Sequence, residues 1–311
     1  MSAMHDAAEE YLSIRRAVGF KLARTEGLLF SFVDFADAEG ATRVTSELAL
    51  RWATLPADAS WSWWNSRLCV VRCFTRHLSA LDPSTEVPPL DLLPRTPARA
   101  LRAEPYLYSD AEIAALMTAA ESKRFPLTAA TLQTLIGLLA VTGMRIGEAL
   151  RLDDGDVDWQ RGVLTVRQSK FDRSREVPLH PSTVDALRSY VEIRDERFPR
   201  PQSTSFFVSW KGTAVSYRTI NEHFADLVRK AGLRPQSRRC RPRWHDFRHR
   251  FASETLQDWH RAGVDVAPRM PLLSTFLGHV DPISTYWYLS AQPELMASAA
   301  GRLEQFLGVL P

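Results

Sequence analysis

The chain has 311 residues, 45% hydrophobic and 24% charged, with a formal net charge of +3, which suits a folded protein of two domains rather than a disordered or fibrous one. No apolar run reaches the roughly 18 residues needed to cross a bilayer, and the opening MSAMHDAAEEYLSIRR lacks the apolar stretch of a secretory signal, so a cytoplasmic protein with no membrane role is expected. Cys69, Cys73 and Cys240 cannot build a disulfide framework, and although Cys69, Cys73 and His77 recur at helical spacing, no fourth ligand stands near them, so no metal is expected.

Residues 6–81 read as helix. YLSIRRAVGF and the stretch from Thr25 to Ala38 carry apolar residues at helical spacing, with Gly40 as a stop. Thr45-Ser46-Glu47 opens a short helix. DASWSWWNSRLCVVRCFTRHLSAL gives a longer one, with Leu68, Val71, Phe74, Leu78 and Leu81 on one side. Arg67, Arg72 and Arg76 occupy its other faces, where they either touch DNA phosphates or are simply solvated. Prolines at 83, 88, 89, 94, 97 and 105 then bar regular ladders and stiffen the backbone. The organisation expected is a helical domain over 1–82, a proline-rich linker over 83–108 and a larger domain over 109–311.

In the larger domain Ser109-Asp110 caps the helix AEIAALMTAAES, and a second helix should run from Pro126 to about Val141, stopping at Thr142-Gly143. GVLTVRQS, KFDRSR and EVPLH alternate like a hairpin. Further helices are expected around Thr183 to Glu196, Ser216 to Ala231 and His245 to Ala262, with SFFVS a short strand candidate and helix again from Pro271. The fold class expected is mainly α with one small β-sheet.

Charge is unevenly spread. From Lys211 to Arg250 eleven Lys or Arg face three acids, a balance of +8 inside a chain of +3. Such a block is either a solvated charged loop or the footprint of a polyanion, and Arg238, Arg239, Arg241 and Arg243 are its candidate DNA contacts.

The chemistry-bearing residues lie within this block and on both sides of it. TGMRIGE holds Arg145, HDFRHRF holds His245 and Arg248, and LGHVDPISTYWYL holds His279 with Tyr288 nine residues later. Displacement at a phosphodiester builds negative charge on the non-bridging oxygens and on the leaving oxygen. Fixed cations must meet the first and a proton donor the second. Arginine suits the first task because its planar fork stays charged and binds two oxygens at once. His245 and Arg248, three apart on a helix, share a face. Tyr286 and Tyr288 differ by about 200° around a helix, so only one can face a given phosphate.

In this order and spacing the motifs resemble the tyrosine recombinase (phage integrase) family: arginine in TGMRIGE, Lys170 in the hairpin RQSKFDR, the pair His245–Arg248, Leu277-Gly278-His279 and Tyr288. The likeness covers 109–311 firmly and the first domain more loosely. It implies an N-terminal helical core-binding (SAM-like) clamp followed by an α+β catalytic domain, and site-specific DNA recombination for integration or transposition. It further implies Tyr288 as nucleophile forming a 3′-phosphotyrosyl link, Arg145 and Arg248 clamping the phosphate, and Lys170 protonating the leaving 5′ oxygen. His245 would assist proton transfer and His279 would hold the phosphate or orient the tyrosine. Tyr286 would be packing and Glu148 an ion-pair buttress. Arg250 departs from the family pattern, which has Thr or Ser there. The partners implied are double-stranded recombination sites and further copies of the chain, as a tetramer on DNA, with no cofactor. The STYWYLSAQPELM ending resembles recombinases of transposon-like elements, which implies co-acting integrases of the same element. The stripe Leu295, Met296, Ala299, Leu303, Phe306 and Leu307 either packs on its own domain or, as the family implies, is donated to a neighbour. Competing readings are a type IB topoisomerase, which relaxes DNA alone, and a non-catalytic DNA-binding accessory protein.

Overall fold

A computed structural model of the chain describes residues 2–20, 22–93, 104–167, 174–200, 202–279, 281, 285, 286 and 288. The chain divides into two units, Met1–Arg102 and Ala103–Pro311. Among the described residues the first holds four helices: α1 (Ala3–Ala17), α2 (Ala23–Ala38), α3 (Ser46–Thr54) and α4 (Trp61–Leu81). Polar caps set their starts. The Thr45 hydroxyl accepts from the Leu48 amide at 3.1 Å, and the Ser60 side chain accepts from the Trp63 amide. Phe32, Trp52, Leu68, Val71 and Phe74 meet in a common core, Phe32 edge-on to Trp52 at 5.3 Å. Burying one such side chain contributes roughly 1.5–3 kcal/mol. Leu81, placed by periodicity on the apolar side of α4, is exposed because the helix ends there.

Two of the arginines expected to meet phosphate are held inside this unit. Arg67 is buried, lies over the Trp52 ring at 3.7 Å and donates from Nη2 to the Trp52 carbonyl at 2.7 Å. Arg72 is buried too and donates to the carbonyls of Pro88 and Pro89 at 2.7 and 2.9 Å. These guanidiniums are structural, which corrects the expectation for both; Arg76 alone of the three is exposed. Proline lacks an amide donor but keeps its carbonyl. The proline-rich segment therefore offers free acceptors, and Arg72 takes them.

The same contacts correct the extent of the linker. Leu93 is buried in the first unit's core, and Glu86 accepts from the Ser46 amide at 2.8 Å. At the other end Tyr106 and Tyr108 are buried in the core of the second unit, Tyr108 stacking on Phe247 at 4.5 Å. Apolar side chains among the prolines dock each end onto its own unit. Residues 94–103 lie outside the described residues.

The second unit is built on α5 (Asp110–Glu121), α6 (Pro126–Thr142), α7 (Ile146–Ala149), α8 (Pro181–Arg197), α9 (Tyr217–Lys230), α10 (Trp244–Arg261) and α11 (Met270–Leu277). A full capping box between Ser109 and Glu112 starts α5. The central helix α6 is apolar nearly all round, as a helix enclosed by α5, α8 and α10 must be. Strands β1 (Val157–Asp158), β2 (Val163–Val166) and β3 (Arg175–Pro178) form an antiparallel sheet in that order, with Leu164 opposite Val177 and Val166 opposite Arg175. The SFFVS segment makes isolated bridges (Ser205 with Asp153, Val208 with Ala214) instead of the expected strand, because Phe206 and Phe207 are drawn into the core within that short span. Mainly helix with one small sheet is the observed class.

Candidate active site

The site begins where α6 stops. Gly143 caps α6 in the left-handed region at φ 59°, and a Cβ there would lie 2.6 Å from Phe251, so glycine is required twice over. Two residues on, Arg145 is the N-cap of α7 and Glu148 its third residue. The Glu148 carboxylate accepts from the Arg145 amide at 3.0 Å and from Arg145 Nη1 at 2.7 Å. A second guanidinium arrives from β3: Arg175 Nη2 donates to the other Glu148 oxygen at 2.7 Å. Burial pushes the Glu148 carboxyl up, but Arg175 and Arg145 together hold it down at about 2. Glu148 is thus the shared anion of two arginines. Arg145 keeps its outer edge open, with a side chain 36% exposed.

Helix α10 supplies the next pair. Arg248 is 1% exposed and donates from Nη1 to the Gly143 carbonyl at 3.0 Å. Burial, and then the like charge of Arg145, lower its pKa to about 10, so it remains protonated at neutral pH. One turn earlier, His245 is held at about 4 by burial and by the charges of Arg248 and Arg145. His249 stands edge-on to it at 4.7 Å, depressed to about 3 by burial and then by His245.

The last residues come from the end of α11. Gly278, at φ 69°, closes that helix, with the Gly278 amide on the Thr275 carbonyl and the His279 amide on the Ser274 carbonyl, both at 2.9 Å. This Schellman turn presents His279, whose Nδ1 lies 2.6 Å from the hydroxyl of the fully buried Thr285. Burial and Arg248 lower His279 to about 4. Tyr288 is 3% exposed, shares a core with Leu256, Leu273 and Leu277, stacks its ring on His279 at 6.1 Å and meets His249 edge-on at 5.5 Å. Burial raises its phenol, while the positive charges of Arg248 and Arg145 pull it back down. Tyr286, by contrast, is 47% exposed.

Five of the six residues singled out in the sequence as catalytic candidates therefore converge: Arg145, His245, Arg248, His279 and Tyr288. Lys170 lies outside the described residues. A cleft of about 640 Å³ opens beside them, lined by Arg145, His245, Tyr217, Asn221, Arg241 and Arg243. Arg238, Arg239 and Arg241 are exposed. Arg243 is largely taken up internally: its guanidinium binds the buried Asp246 carboxylate at 2.8 and 3.0 Å and the Glu104 carbonyl at 3.0 Å. Arg250, the departure from the family pattern, is paired with Asp110 and Glu254. In chemical terms the site offers fixed cations, uncharged imidazoles and a buried phenol, with Arg145 and His245 open to the cleft.

Residues 107–294 match the phage integrase family. Over 98% of its length the chain is 42% identical to y4rB of Sinorhizobium fredii, an integrase/recombinase by name, covering 98% of that protein. The chain belongs to the phage integrase family. Two solved structures share the integrase fold at low identity. The Tn1549 transposon integrase in complex with transposon right-end DNA superimposes with a TM-score of 0.66 at 16% identity, over 96% of this chain and 98% of that one. A lambda integrase tetramer bound to a Holliday junction gives a TM-score of 0.59 at 18% identity, over 91% and 76%.

Reading this integrase from sequence missed Arg175, His249 and Thr285. For Arg175 a signal existed: it alternates with the buried Val177 on β3, so a basic residue occupied the inward face of the strand. His249 stands four residues after His245 and shares its helix face. Nothing in the sequence marks Thr285, whose contact depends on the turn after α11.

Proposed function

We propose that this integrase cuts and rejoins DNA at specific sites through a covalent link to Tyr288, moving or resolving a mobile element. The observation that carries this reading is the convergence of two arginines and two histidines from three separate segments on one buried tyrosine. The Tyr288 oxygen attacks phosphorus, the bond to the 5′ oxygen breaks, and the DNA 3′ end remains as a phosphotyrosyl ester. The phenol proton leaves through a neutral imidazole, His245 or His279, and Lys170 protonates the departing 5′ oxygen. Arg145 and Arg248 bind the non-bridging oxygens, whose charge grows as the bond to tyrosine forms. Breaking one ester while making another conserves its bond energy, so rejoining is the reverse attack by a 5′ hydroxyl.

Arg238, Arg239 and Arg241 serve as backbone contacts along the cleft. Two recombination sites are bridged by four copies of the chain, with co-acting integrases of the same transposon-like element as further partners. The stripe from Leu295 to Leu307, which lies outside the described residues, is the segment that one copy donates to its neighbour. The protein works in the cytoplasm, where its DNA is; no described helix is long and apolar enough to cross a membrane. The end-to-end likeness to an integrase/recombinase disfavours a topoisomerase or a non-catalytic accessory protein. Nicked suicide duplexes made from the DNA flanking the gene test the reading. Wild type should accumulate a protein–DNA adduct resistant to denaturant and Tyr288→Phe none, with binding retained in both; binding without any adduct in wild type would refute it.

A further inference from the structure

Glu148 presents a problem in electrostatics. A carboxylate this deeply buried, with a side chain 3% exposed, demands a cation, and Arg145, three residues before it, is one partner. If Arg145 were its only partner, the pair would be close to neutral, and the phosphate would meet a spent charge. The structure holds a second cation. Arg175, whose side chain is 9% exposed, contacts Glu148 at 2.7 Å on the oxygen that Arg145 Nη1 does not use. Carboxylate and two guanidiniums together carry +1, and of the two only Arg145 has an open edge.

Arg175 also reaches the other side of the site. Its Nε donates to the Phe276 carbonyl at 2.9 Å, one of the carbonyls that the end of α11 leaves without an intrahelical partner. The guanidinium lies against Gly278, where an added Cβ would stand 2.6 Å from Arg175 Nη1 and 2.9 Å from Cζ. Arg145 touches the same turn more loosely, with Nη1 and Nη2 at 3.4 and 3.3 Å from the Gly278 carbonyl. One side chain thus ties β3, the α7 carboxylate and the turn before His279 together.

We propose that Arg175 is a positioning residue of this active site: it neutralises Glu148 so that Arg145 keeps its charge for the scissile phosphate, and it fixes the turn that presents His279. The inference rests on the functional reading above and extends it to a residue that need not touch DNA. Gly278 is then required for two reasons, its left-handed backbone and the guanidinium flat against it.

Single-turnover adduct formation on the nicked duplexes from the flanking DNA, mobility shift with the same duplexes, and thermal unfolding test it together. At saturating DNA, Arg175→Ala should form adduct about 100-fold more slowly, with binding within about threefold of wild type. Adding Glu148→Gln, which removes the stranded charge, should recover about tenfold, and Arg175→Lys should fall between. The acid limb of the rate profile should move slightly to higher pH in Arg175→Ala, since the smallest of the cationic influences on His279 is gone and Glu148 is left under-compensated, whereas Arg175→Lys, which keeps the charge, should leave it in place. Cleavage within about threefold of wild type in Arg175→Ala, or a deeper loss on adding Glu148→Gln, overturns the proposal. Should Arg175→Ala not fold, the Arg175→Gln/Glu148→Gln chain leaves no buried charge unpaired. Rates within about tenfold of Glu148→Gln alone, the margin left to the turn contact, then support the proposal, and a larger further loss overturns it. A wild type that forms no adduct fells the functional reading and this inference with it; an active wild type indifferent to Arg175 fells this inference alone.

Discussion

Buried arginines occur in both units of the chain and do opposite things. In the first unit Arg67 and Arg72 end on backbone carbonyls, and Arg67 also on the face of Trp52. Their Nη2 groups, and Nε of Arg72, donate to fixed dipoles, so they tie a helix to its surroundings. In the second unit Arg145, Arg175 and Arg248 gather around a single carboxylate and three imidazoles held uncharged. Positive charge there exceeds what the protein itself compensates. Burial alone therefore does not mark an anion site; buried cations in surplus do.

That contrast can be broken most severely at Arg248. Replacing it with Ala should reduce adduct formation by about 10³-fold, because a fixed donor to the developing charge is lost. The rate should be measured with enough DNA to saturate any weakened binding; a loss under about tenfold would place Arg248 with the structural arginines.

Acid should separate the units next. Folded values of about 4 for His245 and His279, and about 3 for His249, lie below the ordinary value for an unfolded chain, so these groups stabilise the fold above pH 6.5. That stability is lost as pH falls from about 6.5 toward 4, by far less than the full shifts because His245 is exposed and His279 only half-buried, so solvent screens both. Denaturant unfolding at pH 7 and pH 5 should show the loss in residues 103–311, whereas equal midpoints would contradict neutral histidines. Bound DNA, by adding negative charge, should protect against it.

In the first unit, Arg67→Ala should lower stability by about 1–3 kcal/mol through the lost carbonyl bond and ring contact, seen as a lower Tm. Cleavage per folded molecule should stay near wild type, and a selective loss of cleavage at unchanged Tm would put Arg67 on DNA after all. The smallest effect is expected at the exposed Arg241. Its replacement by Ala should weaken binding about equally for all sequences and reduce the salt slope by about one; an unchanged slope would remove it from the interface.

How much was legible in the sequence follows the same division. Arg145, His245, Arg248, His279 and Tyr288 could be read because each sits in a short motif whose helix geometry is local. The end of α6 at Gly143 and the opening of α5 at Ser109 were visible for the same reason. Arg67 and Arg72 were misplaced because they adjoin Leu68 and Val71 at the edge of the buried stripe, and periodicity cannot say which flank another segment will cover. Their partners, Trp52, Pro88 and Pro89, lie 15 to 17 residues away. Arg175 binds Phe276 across 101 residues, a contact no spacing rule anticipates. Prolines suggested a free spacer, yet Leu93, Tyr106 and Tyr108 bury both its ends.

The central claim concerns a single oxygen atom. Digesting the trapped adduct and sequencing the DNA-bearing peptide by mass spectrometry identifies the atom joined to phosphorus and the strand end that it holds. The account predicts a phosphotyrosyl ester at Tyr288 to a DNA 3′ end, with a free 5′ hydroxyl on the other fragment. A link through Tyr286, through any other side chain, or to a 5′ end would contradict it.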